Sequence, residues 1–174
     1  GNERRRVEYS DWQIPKERYY SEKHIKEEIE NHALFPFYEQ NGASNPEKLF
    51  KQFLIDNADK IQYWYKNGDS GREHFAIDYV DSNGVKRLFY VDFIVVTMDN
   101  RIGLFDTKTL KSDIVDANKH NALRKWMRNN GEQYFGGILI PVETAGVWKF
   151  YYSNFDLEEN KYIDTTTGFT DLRF

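Results

Sequence analysis

The sequence contains no cysteine among its 174 residues. It can therefore form neither a disulfide nor a thiolate metal site, which fits a reducing cytoplasm. It also has no signal peptide and no apolar run that approaches the length of a membrane span. These absences predict a cytoplasmic protein with no membrane partner.

Three common catalytic signatures are missing as well. The histidines do not have the spacing of zinc ligands, and there is no Gly-x-Ser-x-Gly elbow. The glycines in residues 68–71 predict a turn, but this segment lacks the Gly-Lys-Ser/Thr ending of a phosphate loop. We therefore expect any ATP-driven motor to lie outside this sequence.

Hydrophobic residues make up 40% of the chain and aromatic residues 17%. At this length the composition predicts one domain with a real core. The hydrophobic periodicity and the turn residues predict helices over 21–35, 44–58 and 112–130, and strands over 61–66, 72–80, 86–97, 101–109, 136–142 and 147–153. This mixture predicts an α/β fold, a sheet with helices on both faces.

The net charge of −4 gives no overall attraction to nucleic acid. The basic residues are nevertheless unevenly placed. One short span, opposed only by Asp113 and Asp116, contains Lys108, Lys111, Lys119, Arg124, Lys125 and Arg128. This span predicts either a local basic face that contacts phosphates or an ordinary solvated helix face.

The stretch 90–108 is typical of a β-hairpin around a polar turn at Asp99 and Asn100. Three charges interrupt its apolar strands: Asp92, Asp106 and Lys108. Side chains two residues apart on a strand share a face, so Asp106 and Lys108 point the same way, roughly 7 Å apart. The hairpin can bring Asp92 beside Asp106. Two carboxylates and an ammonium on one face suit a hard divalent cation and an activated water.

Glu47 lies at the start of the helix predicted over 44–58, and two interpretations of it stay open. Ser44-x-x-Glu47 matches a capping box, which would make Glu47 purely structural. Glu47 also follows the same helix face as Phe50 and Leu54, so it can lean towards the sheet. Lys119 has a similar ambiguity: it either passes its stem along the core or reaches inward to a charged site.

An aspartate in one strand, followed by Asp-x-Lys at the end of the next, resembles the PD-(D/E)xK nuclease signature. The surrounding order is similar to the C-terminal endonuclease domain of type III restriction enzymes and related helicase-nucleases. Its further features are Glu47 on a preceding helix, Lys66 and Asn67 after that helix, a strand over 75–79, and Lys119, Ala122 and Trp126 in the following helix. The resemblance covers residues 44–126. Val91 replaces the expected proline, and Asp106 replaces the glutamate usual in the type III group.

The resemblance implies a restriction-endonuclease-like mixed β-sheet flanked by helices, with an αβββαβ core. Residues 21–155 would form the nuclease-like domain. Residues 1–20 would be a linker or N-terminal extension, and residues 156–174 a polar tail packed on the domain or extending from it. The function implied is that of a Mg²⁺-dependent DNA endonuclease, with Mn²⁺ able to substitute. Its partners would be double-stranded DNA and an ATP-dependent helicase or translocase region in the same full-length chain.

The residue roles follow from the same resemblance. Asp92 and Asp106 would be direct ligands of the cation, with the backbone carbonyl of Thr107 as a third. Glu47 would hold a water of the cation or a second ion. Lys108 would position the attacking water and stabilise charge on the phosphate. The expected DNA contacts are Lys119 and Lys111.

Other interpretations of the same residues remain open. Lys108 could neutralise Asp92 and Asp106 in a salt bridge with no catalytic role, since ion-pair networks also occur in proteins that are not enzymes. The chain could then be an inactive nuclease-fold module used for DNA binding or docking. A protein-interaction domain without a nucleic-acid role is the third alternative.

Overall fold

The structure is a computed structural model, and it describes residues 45–68 and 74–174. Within these ranges the chain forms two α-helices and ten β-strands. The helices are α1 (Asn45–Asp56) and α2 (Ala117–Asn130), and a 3-10 turn (Ala58–Lys60) follows α1. The strands are β1 (Ile61–Lys66), β2 (Ile77–Val80), β3 (Lys86–Phe89), β4 (Phe93–Thr97), β5 (Ile102–Thr107), β6 (Ile114–Val115), β7 (Tyr134–Thr144), β8 (Val147–Tyr152), β9 (Lys161–Tyr162) and β10 (Thr170–Asp171). The helix predicted over 21–35 and the extension over 1–20 lie outside the described residues.

Six of the strands form the main sheet, in the order β1-β4-β5-β7-β8-β10. Strands β5 and β7 are parallel and α2 connects them, while the other neighbours are antiparallel. Strands β2 and β3 form one small sheet, and β6 and β9 form another. The predicted α/β fold with a mixed sheet is therefore confirmed. The assignment of this sheet to a restriction-endonuclease-like core stays a prediction.

Helix α1 packs on one face of the main sheet through Phe50 and Leu54, which are fully buried. The ring centroid of Phe50 lies 5.0 Å from that of Phe93, 5.5 Å from that of Phe105 and 5.3 Å from that of Phe150. Phe50 and Leu54 are four residues apart, which places them on one side of the helix. The apolar face expected for this helix is therefore the face that it buries.

Helix α2 packs on the opposite face of the sheet. Its Leu123 and Met127 lie in one cluster with Ile94 and Leu104 of the central strands. Because side chains alternate along a strand, Ile94 and Leu104 face α2 while Phe93 and Phe105 face α1. Helices thus cover both faces of the sheet, as the mixture of elements predicted.

The prediction of one continuous strand over 86–97 is wrong. The chain leaves β3 at Phe89 and begins β4 at Phe93, and these two strands belong to different sheets. The side-chain amide of Asn67 donates to the carbonyl of Val91 over 2.9 Å and to the carbonyl of Phe75 over 2.7 Å. These bonds hold the chain in a bend immediately before β4.

The predicted start of the second described helix is also wrong. The sequence predicts Ser112 as the N-cap of this helix. In the structure α2 begins at Ala117, and the side chain of Asp116 caps it by accepting from the Lys119 backbone N–H at 3.2 Å. The preceding residues are used elsewhere. Asp113 accepts from the backbone N–H of Thr109 at 2.9 Å, and 114–115 pair with 161–162 as β6 and β9.

The last nineteen residues, described above as a polar tail, contribute to the core. Leu157, Ile163 and Leu172 are buried, and β10 forms an edge strand of the main sheet against β8. The segment is polar in overall composition, but these three buried apolar side chains pack it onto the domain. In residues 45–68 and 74–174, no helix combines the length and the apolar character needed to cross a membrane.

We expect Phe50→Ala to lower the free energy of unfolding by about 3–5 kcal/mol, because it removes a buried ring and leaves a cavity among other rings. Urea unfolding monitored by tryptophan fluorescence measures this loss. Lys48→Ala is the matched control, since Lys48 is exposed on the same helix and its replacement should change stability by less than about 0.5 kcal/mol. Equal losses in the two variants would contradict the described packing of α1.

Candidate functional site

Three strand ends meet at one end of the main sheet. Strand β4 runs antiparallel to both β1 and β5, so the start of β4 lies beside the ends of β1 and β5. Phe93 pairs with Phe105 in the β4–β5 hairpin. Continuing this register by one position places Asp92 opposite Asp106, in the gap where β4 has not yet begun. The two predicted carboxylates are therefore neighbours.

Asp92 is held by two hydrogen bonds from Thr107. The backbone N–H of Thr107 donates to Oδ2 of Asp92 over 2.8 Å, and the Thr107 hydroxyl donates to the same oxygen over 2.9 Å. The N–H and carbonyl of a strand residue point to the same neighbouring strand, so the carbonyl of Thr107 also faces the β4 side. The predicted use of that carbonyl as a cation ligand stays a prediction.

The backbone around Asp92 is fixed by Asn67, which is buried. The Asn67 N–H donates to the carbonyl of Asp92 over 2.9 Å, and the Asn67 side-chain oxygen accepts from the N–H of Phe75 over 3.1 Å. With the two bonds from its amide nitrogen, Asn67 satisfies four backbone groups of neighbouring segments. A buried, fully satisfied polar group of this kind specifies one conformation, and here it specifies the position of Asp92.

Asp106 is buried at the end of β5, and two basic side chains lie beside it. The Nε2 atom of His120, on α2, lies 2.8 Å from Oδ2 of Asp106. The Nζ atom of Lys108 lies 3.7 Å from the same oxygen. The sequence prediction that Asp106 and Lys108 share a face is confirmed. Among the described carboxylates, Lys108 forms an ion pair with Asp106 and none with Asp92. The interpretation of this lysine as a salt-bridge partner with no catalytic role stays open.

Glu47 approaches the same end of the sheet from α1. Its Oε1 atom lies 3.9 Å from the Nζ atom of Lys66, the last residue of β1, and both side chains are mostly buried. The ammonium of Lys66 also lies over the ring of Phe93, 5.2 Å from its centroid. Glu47 therefore leans towards the sheet, as one of its two interpretations predicted. Ser44, its proposed capping partner, lies outside the described residues.

The surroundings shift the pKa values of Asp92 and Asp106 in opposite directions. Burial and the nearby carboxylate of Asp106 raise the pKa of Asp92 to about 8, and the charge of Glu47 contributes in the same direction. Lys66 and the backbone N–H of Thr107 oppose this rise only in part. Negative charge is therefore in excess around Asp92.

Asp106 shows the opposite balance. Its burial would raise the pKa, but the hydrogen bond from His120 and the charges of His120, Lys108 and Lys119 outweigh this effect. Together they hold the pKa of Asp106 at about 2. The carboxylate of Asp106 is thus stable as an anion, whereas that of Asp92 lacks sufficient positive charge around it.

The two aspartates are alike in one respect. The two hydrogen bonds to the Asp92 side chain and the one to the Asp106 side chain are all accepted by Oδ2. Among the residues that the structure describes, none donates a hydrogen bond to Oδ1 of Asp92 or of Asp106. Each carboxylate is therefore fixed at one oxygen and keeps the other available.

Neither of the two predicted DNA contacts forms an ion pair with a carboxylate among the residues that the structure describes. The ammonium of Lys119 lies over the ring of Phe89, 4.6 Å from the centroid, and its charge acts on Asp106. Lys111 is exposed in the loop after β5, with a φ of 64°, and its N–H donates to the carbonyl of Ile163 over 2.9 Å. The buried residues of α2 are Ala117, His120, Leu123 and Met127, so Lys119 lies outside the buried stripe of this helix.

Sequence reasoning missed His120 and Lys66 as members of the site. The spacing of His120, Leu123 and Met127 is typical of one helix face, and this spacing could have identified His120 once the start of α2 was correct. Lys66 ends an otherwise apolar and aromatic strand, which is a weaker signal. Its partner Glu47 is nineteen residues earlier, so only the fold brings them together.

Within residues 45–68 and 74–174, no three histidine, aspartate or glutamate side chains converge closely enough to form a ready-made metal cluster. The charges of Asp106 and Glu47 act on Asp92, but Glu47 forms its ion pair with Lys66.

The chain was also compared with known proteins. No family model, no curated protein and no solved structure matches the chain.

We expect Asp92→Asn to stabilise the protein in the absence of divalent cations, by about 1–2 kcal/mol at pH 8. The amide is similar in shape, can still accept from Thr107, and removes a poorly compensated charge. The folded pKa of Asp92, about 8, exceeds the ordinary value of about 3.9. The wild type therefore loses stability as pH rises from 4 to 8, and the advantage of the variant grows over that range.

Urea unfolding at several pH values, with a chelator present, measures this difference. Asp106 loses its charge only below about pH 4 in either state, so it does not affect the comparison. Asp164→Asn is the control, since it makes the same chemical change at an exposed position and should change stability by less than about 0.5 kcal/mol. An Asp92→Asn effect that is constant from pH 4 to 8 would show that Asp92 has an ordinary pKa.

Proposed function

We propose that this chain is a Mg²⁺-dependent DNA endonuclease domain that hydrolyses phosphodiester bonds, of the kind found in type III-like restriction or helicase-nuclease proteins. One observation carries the proposal: Glu47, Asp92, Asp106 and Lys108 come to the same end of one sheet from three separate elements. The PD-(D/E)xK resemblance calls for an aspartate in one strand and Asp-x-Lys at the end of the next. Asp92 lies immediately before β4 instead of within it, and Asp106 and Lys108 lie at the end of β5.

The topology of the main sheet supports the same proposal. Leaving aside the inserted β2–β3 hairpin, the chain runs through α1, the antiparallel strands β1, β4 and β5, then α2 and the parallel strand β7. This succession corresponds to the αβββαβ order of the expected core. The carboxylates lie where β4 separates from β5, which is the location that the proposed activity needs.

The donor set suits Mg²⁺. This ion prefers oxygen ligands and is usually bound by one or two carboxylates together with several waters. Asp92 and Asp106 each have one oxygen fixed by donors of the chain, and their remaining oxygens are the ones that would hold the ion. The excess of negative charge that raises the pKa of Asp92 is also what a divalent cation would relieve. When bound, Mg²⁺ would supply an activated water and neutralise charge on the phosphate.

The chain's own residues would perform the remaining tasks. Lys108 has a partly exposed ammonium beside Asp106, from which it can donate to the attacking water or to a phosphate oxygen. Thr107 holds Asp92 in place through two hydrogen bonds. Glu47, released from Lys66 or shared with it, can accept a hydrogen bond from a water in the site. Lys111 and Lys119 lie on the loop and helix after β5 and would contact the DNA backbone.

A second function is favoured by a specific observation. Lys66 and Lys108 already lie beside Glu47 and Asp106, and no three acidic or histidine side chains of the described chain form a closed metal cluster. These contacts are also expected of a catalytically inactive nuclease fold that binds DNA or docks another protein. An ATP-dependent translocase region in the full-length chain and a cytoplasmic location belong to the proposal in either form.

We expect the protein to nick supercoiled plasmid DNA in the presence of Mg²⁺ or Mn²⁺, and Asp106→Asn and Lys108→Met each to reduce the rate by on the order of 10²-fold or more. Asp106→Asn removes a charged ligand of the proposed cation, and Lys108→Met removes the ammonium that would act on the attacking water or the phosphate. Each substitution keeps the side chain's approximate size. Conversion of supercoiled to open-circular DNA, followed by gel electrophoresis, measures the rate.

The controls are Asp164→Asn and Lys149→Met, which make the same chemical changes at exposed positions. They should cut at the rate of the wild type. If the wild type retards duplex DNA in a gel shift but does not cut it with either cation, the inactive-module interpretation is favoured. Cleavage that persists in Asp106→Asn and Lys108→Met would place the chemistry elsewhere.

A further inference from the structure

His120 is a buried histidine whose two ring nitrogens both face a hydrogen-bond partner. It lies in the first turn of α2, and only 4% of its side chain is exposed. The ring packs edge-on against Phe89, with 5.2 Å between the ring centroids. Its Nε2 atom lies closer to Asp106 than the ammonium of Lys108 does, 2.8 Å against 3.7 Å.

The hydrogen bonds of the ring define its orientation. Nδ1 lies 3.0 Å from the carbonyl oxygen of Asp116. A carbonyl oxygen only accepts, so Nδ1 carries a proton and donates to it. The same carbonyl accepts the His120 backbone N–H at 3.1 Å, so the ring is fixed to the first turn of its own helix. This leaves Nε2 directed at Oδ2 of Asp106, where it donates to the carboxylate over 2.8 Å.

The contact with His120 is better suited than the contact with Lys108 to orient Asp106. The Lys108 ammonium is 3.7 Å away on a flexible stem, and the Lys108 side chain is 25% exposed. The His120 ring is nearly inaccessible and restrained at its other nitrogen. Rigid donors with partners of their own are what hold a functional carboxylate in one orientation.

We propose that His120 is a positioning residue: it fixes Oδ2 of Asp106 so that Oδ1 is directed towards Asp92 and the cation that the two aspartates would share. This inference rests on the proposed function and assigns to α2 a role in it. His120 itself contacts neither the cation nor the DNA. It acts through Asp106, which is why its effect should appear in cation affinity rather than in DNA binding.

Three variants of His120 test the proposal. In His120→Gln the side-chain amide reaches about as far as Nε2 and keeps a donor for Asp106. In His120→Asn the amide is too short to reach Asp106, and His120→Leu fills similar space without any donor. The binding of Mn²⁺ to each protein without DNA is measured by electron paramagnetic resonance, and unfolding is monitored to confirm that each variant is folded.

We expect His120→Asn and His120→Leu to weaken Mn²⁺ affinity by about 10–100-fold, because loss of a partner of a metal ligand commonly has this effect. His120→Gln should remain within a few-fold of the wild type. In plasmid cleavage the kcat should fall in the same order, while the KM for DNA stays unchanged. A merely space-filling histidine would not be rescued by glutamine in preference to leucine.

The outcomes separate this inference from the function on which it rests. A wild type that binds Mn²⁺ and cuts DNA, with equal Mn²⁺ affinity in His120→Asn, overturns the positioning role alone. So does a His120→Gln variant as weak as His120→Asn when both are folded, even if His120→Leu does not fold. A wild type that neither binds Mn²⁺ nor cuts DNA overturns the proposed function, and the positioning role with it.

Discussion

The feature on which the rest of this structure depends is a pair of carboxylates, Asp92 and Asp106, brought together with too little positive charge around them. Burial and mutual repulsion raise the pKa of Asp92 to about 8, whereas Asp106 remains an anion. Such a pair destabilises a fold in isolation. Its presence is therefore explained more readily by something that it binds than by stability, since functional sites commonly retain destabilising charges.

The scaffold around the pair shows how the chain maintains this arrangement. Asn67 bonds to four backbone groups and holds the bend that precedes Asp92. Thr107 then donates twice to Asp92, and His120 donates to Asp106. These donors come from the ends of β1 and β5 and from α2, so all three elements contribute to the geometry of two side chains. Each aspartate is fixed at one oxygen, which leaves the pair rigid but chemically available.

Much of the fold could be predicted because its signals are local. The β4–β5 hairpin has apolar runs on either side of a polar turn. The strands predicted over 136–142 and 147–153 correspond to β7 and β8. The apolar stripe of α1 was predicted from the spacing of Phe50 and Leu54. The start of α2 was not, because Asp116 competes with Ser112 as a cap and the residues between them pair with β9.

By itself, the sequence determined the kinds of element and the presence of two acids and a lysine at neighbouring strand ends. Hydrophobic periodicity and turn preferences depend on residues that are close together in the chain, so both can be recognised in a single sequence. Only the tertiary structure decided which charges meet: Lys66 with Glu47, and His120 with Asp106. These partners are fourteen or more residues apart. Their contacts depend on which face each helix turns to the sheet, and packing of the whole core sets that orientation.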